Sequence, residues 1–183
     1  IEAGDITKNQ IVTSFPFGNY LVTKEVKGKD IKAALEHGLS KYPEQNGGFP
    51  HVAGITFTFN TANPAGSRVS DLMVGGSPVD MEKAYLFVTN DFMAAGGDDY
   101  TMLKPYATVN EYAAFDEILV NYIKKMGTIS TTLVPRMTVN ETAPAAPTPM
   151  PEPMHHDGKV IVPSPVETTN YTVHHDMSIM ELA

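Results

Sequence analysis

Few side chains in this sequence are of a type and spacing that could do chemistry, and those few fall in turns or in the linker and tail. Asp98 and Asp99 follow Gly96-Gly97. A carboxylate pair there can hold a cation or can hydrogen-bond the backbone of its own turn. His155-His156 and His174-His175 are adjacent pairs. Neighbouring side chains seldom point at one metal ion, so both pairs are read as solvated histidines. Phe17, in Pro16-Phe17-Gly18-Asn19, and Phe92, just ahead of Gly96-Gly97, stand beside glycine turns and off any apolar stripe. That placement favours exposed, loop-borne aromatics over core packing. No Ser/His/Asp order, phosphate loop or dinucleotide glycine motif is present. No catalytic residue and no metal ligand is assigned in this chain, and these residues alone do not declare a reaction.

The composition bounds the partners. At 183 residues the chain has room for one domain with a proper core. Its 42% hydrophobic content is that of a folded protein. A net charge of −8 and only two arginines, Arg68 and Arg136, exclude a nucleic acid polymer as partner. Cysteine is absent, which removes disulfides, thiolate metal sites and cysteine nucleophiles. No run of about 18 apolar residues offers a membrane span. The chain opens on Ile1 rather than Met, compatible with an upstream segment.

The elements that must position the turns are legible as periodicity. Ile11–Phe15 and Tyr20–Val26 read as strands on either side of the Pro-Phe-Gly-Asn turn. Ile31, Ala34, Leu35, Leu39 and Tyr42 recur at helical spacing until Pro43. Ile55–Phe59 alternates as a strand, with 68–74 returning as its hairpin partner after Asn63-Pro64-Ala65-Gly66. A strand over Ala84–Thr89 delivers the chain to the glycine loop. Thr108-Val109-Asn110-Glu111 fits a capping box for a second helix. Phe115, Ile118, Leu119, Tyr122, Ile123 and Met126 form its apolar stripe, expected in the core, and Gly127 ends it. These elements predict an α+β domain over residues 1–139, a mixed and mainly antiparallel sheet with two principal helices. Residues 140–168 follow as a proline-rich linker, with Ala-Pro-Ala-Ala-Pro-Thr-Pro-Met-Pro-Glu-Pro over 143–153 as an extended spacer.

Taken in order, several blocks resemble a known family. They are Gly4-Asp5-Ile6-Thr7, Phe15-Pro16-Phe17-Gly18-Asn19, Lys27-Gly28 with Ala34-Leu35-Glu36, Gly48-Phe49-Pro50 with Gly54, and Gly66-Ser67-Arg68-Val69. Asn90-Asp91-Phe92-Met93-Ala94-Ala95-Gly96-Gly97-Asp98-Asp99-Tyr100 follows, and Tyr122-Ile123, Gly127-Thr128-Ile129 and Pro135-Arg136 close the series. In sequence and spacing they resemble the carboxy-terminal domain of the 5′-nucleotidases. Cyclic-nucleotide phosphodiesterase relatives usually carry Asn-Asn-Tyr with Gly-Gly-Gly, so Asn-Asp-Phe with Gly-Gly-Asp favours the 5′-nucleotidase branch.

The resemblance implies nucleoside recognition for a hydrolase of nucleotide phosphate esters. The two divalent metal ions of such an enzyme belong to an amino-terminal metallophosphoesterase domain, so no cofactor is expected in this chain. It implies that Phe17 and Phe92 hold the base between their rings and that Asp98 accepts hydrogen bonds from the ribose hydroxyls. Aromatic faces accept any base, and one carboxylate can serve two vicinal hydroxyls. Two departures stand out. The family usually has glycine where Asp99 stands, and a left-handed backbone is costlier for Asp. The family's Asn-Gly-Gly-Gly-Ile-Arg block, which supplies polar contacts to substrate, is not in this sequence.

Residues 169–183 resemble the first half of a LysM module through Tyr171-Thr172-Val173, Ser178-Ile179 and Leu182-Ala183, with Asp176-Met177 in place of the usual Gly-Asp. That likeness implies peptidoglycan as a further partner and an extracytoplasmic, wall-associated setting. The alternative to a hydrolase part is a stand-alone nucleoside- or wall-binding module, and upstream sequence separates the two. A sulfur-compound hydrolase of the same superfamily is weaker, since it needs no pair of base-stacking rings.

Overall fold

The computed structural model describes residue 1, residues 3–130 and residues 134–141. Apart from Asn140 and Glu141, the linker over 140–168 and the LysM-like stretch over 169–183 lie outside the described residues.

The chain runs α1 (Lys8–Ser14), β1 (Tyr20–Lys27), α2 (Gly28–Gly38), β2 (Ile55–Asn60), β3 (Val69–Val74), β4 (Ser77–Pro78) and β5 (Ala84–Asn90). It continues through α3 (Asp91–Ala94), two 3-10 turns (Gly97–Asp99 and Thr101–Leu103), β6 (Thr108–Ala114), α4 (Phe115–Met126) and β7 (Met137–Asn140). Two sheets result. One is antiparallel in the order β5-β1-β6. The other has the order β4-β3-β2-β7, antiparallel except where β7 runs parallel to β2. This is the expected α+β architecture with mixed, mainly antiparallel sheets.

Alternation in β2 sends Ile55, Phe57 and Phe59 to the buried side. The helical spacing of α2 sends Ile31, Ala34 and Leu35 to the same core, which Val26, Leu39, Leu72 and Leu103 complete. Each such large side chain contributes about 1.5–3 kcal/mol by leaving water. A buried carboxylate docks α2 onto β3: Glu36 accepts from the backbone N–H of Arg68 and of Val69, both at 2.8 Å. The Arg68 guanidinium in turn donates to the carbonyls of Leu39 and Ser40 at the end of α2. Those carbonyls are thus capped by a side chain, and α2 closes at Gly38 rather than running to Tyr42.

Three expectations are corrected. Residues 11–15 are no strand, since Lys8–Ser14 is helical. Thr7 and Gln10 form a reciprocal capping box at its start, and only Ile11 is buried. Thr108–Glu111 is no capping box but the start of β6, paired to β1 with Asn110 opposite Thr23. Helix α4 enters at Ala114 without a side-chain cap, with Asp116 and Glu117 in its first turn and Lys124 and Lys125 in its last, the arrangement that suits the helix dipole. The α4 stripe is only partly core. Leu119 is buried, Phe115, Ile118, Tyr122 and Ile123 are half-buried, and Met126 is exposed. The stripe leans on short α1, where the rings of Phe15 and Phe115 stack 6.1 Å apart, and α1 is too small to cover it all.

Candidate functional site

Phe17 and Phe92 are both outside the buried core cluster. Phe17 is 86% exposed and Phe92 49% exposed. Phe17 tips a turn whose next residue, Gly18, has φ +64°, a conformation glycine adopts without strain. Phe92 lies in α3, whose first turn is capped by the Asn90 side chain accepting from the Met93 N–H at 2.6 Å.

One carboxylate joins the two turns. Asp91 Oδ1 accepts from the Asn19 side-chain amide at 3.0 Å, the Tyr20 N–H at 3.1 Å and the Phe92 N–H at 3.0 Å. The Asn19 carbonyl also accepts from the Phe115 N–H at 3.0 Å. The turn bearing Phe17 is therefore tied to the helix bearing Phe92, although 72 residues separate Asn19 from Asp91.

Gly97 supports the second ring. A Cβ placed there would stand 2.5 Å from Phe92 Cε1 and 2.6 Å from Cδ1 and Cζ. Only glycine lets that ring lie against the loop backbone.

The loop continues into left-handed conformation at Gly96 (φ +91°), Asp98 (φ +50°) and Asp99 (φ +63°). For aspartate this costs on the order of 1–2 kcal/mol per residue and persists where neighbours enforce it. Three groups do so. Lys24, only 4% exposed, sends its ammonium to the carbonyls of Ala94 and Leu103, fixing both ends of the loop. Burial holds the Lys24 pKa below the usual lysine range. His37 Nε2 lies 2.8 Å from the Asp98 carbonyl. Tyr100, buried beneath the loop, stacks edge-on against His37 at 4.8 Å and donates its hydroxyl to the Gly48 carbonyl. Burial first, and the Asp98 charge second, push the Tyr100 phenol up to about 12. Gly38 makes room for that hydroxyl, since a Cβ there would lie 2.6 Å from it.

A cavity of about 240 Å³ opens beside the loop, lined by His37, Lys41, Asn46, Gly48, Asp98 and Asp99 among others. Phe17 and Phe92 do not line it. Among the described residues no three histidine or carboxylate side chains gather to hold a metal ion. The donors of the described residues thus do not assemble the metal centre of a phosphoesterase.

The sequence singled out Phe17, Phe92 and Asp98. Lys24, His37 and Asp91 went unassigned there. Lys24 had a signal, a lysine on the same strand face as Val22 and Val26. Asp91 sat inside a quoted motif without a role. His37 carried no signal, because its partner is a backbone carbonyl 61 residues away.

Comparison with known proteins agrees with this architecture. The family model "5′-nucleotidase, C-terminal domain" matches residues 1–105. A trifunctional nucleotide phosphoesterase protein of Bacillus subtilis is 37% identical over 134 residues, which are 69% of this chain and 9% of that protein. A 5′-nucleotidase of Diplobatis ommata is 34% identical over 137 residues, 67% of this chain and 23% of the relative. The crystal structure of a 5′-nucleotidase precursor from Thermus thermophilus superposes with a TM-score of 0.69 at 36% identity, covering 73% of this chain and 28% of that one. The NAD nucleotidase of Haemophilus influenzae gives a TM-score of 0.67 at 28% identity, over 76% and 27% of the two chains. The chain spans well under two thirds of each of these relatives.

Proposed function

From the premise that this chain belongs to the 5′-nucleotidase C-terminal domain family, we propose that it recognises the nucleoside part of nucleotides whose phosphate esters a separate metal-bearing domain hydrolyses. No catalytic domain lies in this chain. In this reading Phe17 and Phe92 hold the base between their faces, and Asp98 accepts from the ribose hydroxyls. The observation that carries it is the shared Asp91 carboxylate, which binds Asn19, Tyr20 and the Phe92 N–H at once. Two exposed rings held independently would lose side-chain and backbone freedom on binding, and a common anchor removes part of that cost beforehand. Exposed phenyl rings outside the core also suit stacking, which tolerates any base.

The two divalent ions of the hydrolytic centre belong, in this reading, to the other domain. The setting we infer is extracytoplasmic, supported by the likeness to a precursor 5′-nucleotidase and to venom 5′-nucleotidases. A peptidoglycan partner rests on the LysM-like residues 169–183 alone. Calorimetric titration of adenosine into the purified chain tests the nucleoside reading. A saturable, weak binding event is expected; the absence of both heat and a thermal shift at millimolar adenosine would sink it.

A further inference from the structure

We propose that His37 is a positioning residue that locks the Asp98 backbone, and thereby sets the direction of the Asp98 carboxylate. This rests on the reading of Asp98 as the ribose contact.

The need for a lock follows from the backbone. Asp98 sits at φ 50°, ψ 35°, and Asp99 at φ 63°. Two consecutive L-residues in the left-handed region are disfavoured unless the surroundings enforce them. Lys24 clamps Ala94 and Leu103, the outer ends of the loop. Inside, the Tyr100 N–H reaches the Gly97 carbonyl at 3.1 Å. The peptide between Asp98 and Asp99 is held by His37, whose Nε2 lies 2.8 Å from its carbonyl oxygen.

A carbonyl can only accept, so Nε2 must carry the hydrogen, which fixes the tautomer. The ring cannot easily turn away. It stands at 81° to the Tyr100 ring, and Tyr100 is itself anchored on Gly48. His37 also belongs to the last turn of α2, a helix fastened through buried Ile31, Leu35 and Glu36. The core thus reaches the 98–99 peptide through the His37 imidazole. Without it, rotation of the 98–99 peptide would relieve strain and swing the carboxylate with it.

Two measurements on the 183-residue chain decide the matter. The first needs no ligand. Imidazole ¹⁵N shifts at neutral pH should report His37 as the Nε2–H tautomer, and an Nδ1–H tautomer overturns the proposal. The second compares adenosine with 2′,3′-dideoxyadenosine by calorimetry in wild type, His37→Ala, His37→Gln and Asp98→Ala, with thermal melts alongside. His37→Ala should weaken adenosine about 2- to 10-fold, the range of one hydrogen bond, and leave the dideoxy ligand unchanged. Glutamine, whose amide can donate from a similar point, should restore most of the loss. A merely structural histidine predicts instead that both ligands weaken together, without rescue by Gln. The Asp98 variant separates the two ideas. If Asp98→Ala keeps the preference for adenosine, the ribose reading of Asp98 fails. If it loses that preference while His37→Ala keeps it, the role of His37 alone fails.

Discussion

Asp91 holds Asn19 across 72 residues of sequence, its Oδ1 accepting from the Asn19 amide at 3.0 Å. The same oxygen takes the N–H groups of Tyr20 and Phe92. Two of the three donors on that oxygen come from the other turn and are lost if the two part. Asp91→Ala should release the Phe17 turn and weaken adenosine binding about 10-fold, the scale of losing one or two charge-assisted bonds. Asp91→Asn keeps an acceptor and should retain much of the binding. Titration of both variants checks this, and an alanine variant that binds like wild type would show that the tie is incidental.

Gly97 and Gly28 make a paired prediction about where a methyl group hurts. At Gly97 the added carbon meets the Phe92 ring at 2.5 Å, a side chain that is half-exposed rather than core. At Gly28 it would overlap the backbone carbonyl of Asp80 and crowd Val79. Gly28→Ala should therefore destabilise by about 1–3 kcal/mol, as overpacking does. Gly97→Ala should cost less stability and more adenosine affinity. Thermal melts and titrations on both variants test it. The reverse ranking would mean that the Phe92 ring does not serve binding.

These two glycines also mark what the sequence could and could not disclose. The hairpin of β2 and β3, strand β1 and helices α2 and α4 were legible because alternation and helical spacing are local. Phe17 and Phe92 were legible as exposed because they adjoin glycine turns. Helix α1 was hidden: Ile11, Val12 and Thr13 look like a strand, yet Thr7 and Gln10 cap a helix there. Strand β6 was hidden because Thr108-Val109-Asn110-Glu111 satisfies a capping pattern while β1 offers it a ladder. Tertiary pairing overrode the local signal. The position of Lys24 on an apolar strand face was visible, but its partners were not, being carbonyls 70 and 79 residues away.

The buried phenol of Tyr100 predicts how stability responds to alkali. Its pKa stands at about 12 in the folded chain, from burial first and the Asp98 charge second. An unfolded tyrosine titrates near about 10. The folded state thus keeps a proton that the unfolded state releases. The resulting stabilisation is complete below about pH 10 and is lost as pH rises through about 12. Tyr106, raised mainly by burial, adds in the same direction. Lys24, lowered by burial, acts oppositely, because the cost of its buried charge fades as it deprotonates. Urea unfolding at stepped alkaline pH should show a shallower decline for Tyr100→Phe than for wild type. Equal slopes would argue against this source.

The purified chain should hydrolyse no AMP, even with magnesium, manganese or zinc added. Activating water and clamping phosphoryl oxygens needs several ligands around each ion, and the described residues bring no such group together. Phosphate release above a buffer blank, abolished by a chelator, would overturn this.

The base clamp makes the most detailed prediction. Phe17 and Phe92 are exposed and outside the core cluster, so truncating either should leave the melting temperature within a few degrees of wild type. Each Phe→Ala change should nonetheless remove roughly 1–3 kcal/mol of adenosine binding, or about 5- to 150-fold in affinity, the range for stacking a base on an aromatic ring. The two losses should not simply add, because a base stacked on one remaining ring can shift to improve that contact. Phe17→Tyr should bind nearly as wild type, since the stacking face survives, whereas Phe17→Leu should resemble alanine more than tyrosine despite its similar burial of apolar area. A purely hydrophobic contact predicts the opposite order for leucine. Titration of adenosine against these variants, with melts in parallel, decides between them. Variants that bind as well as wild type, or that melt far below it, would remove Phe17 and Phe92 from the site.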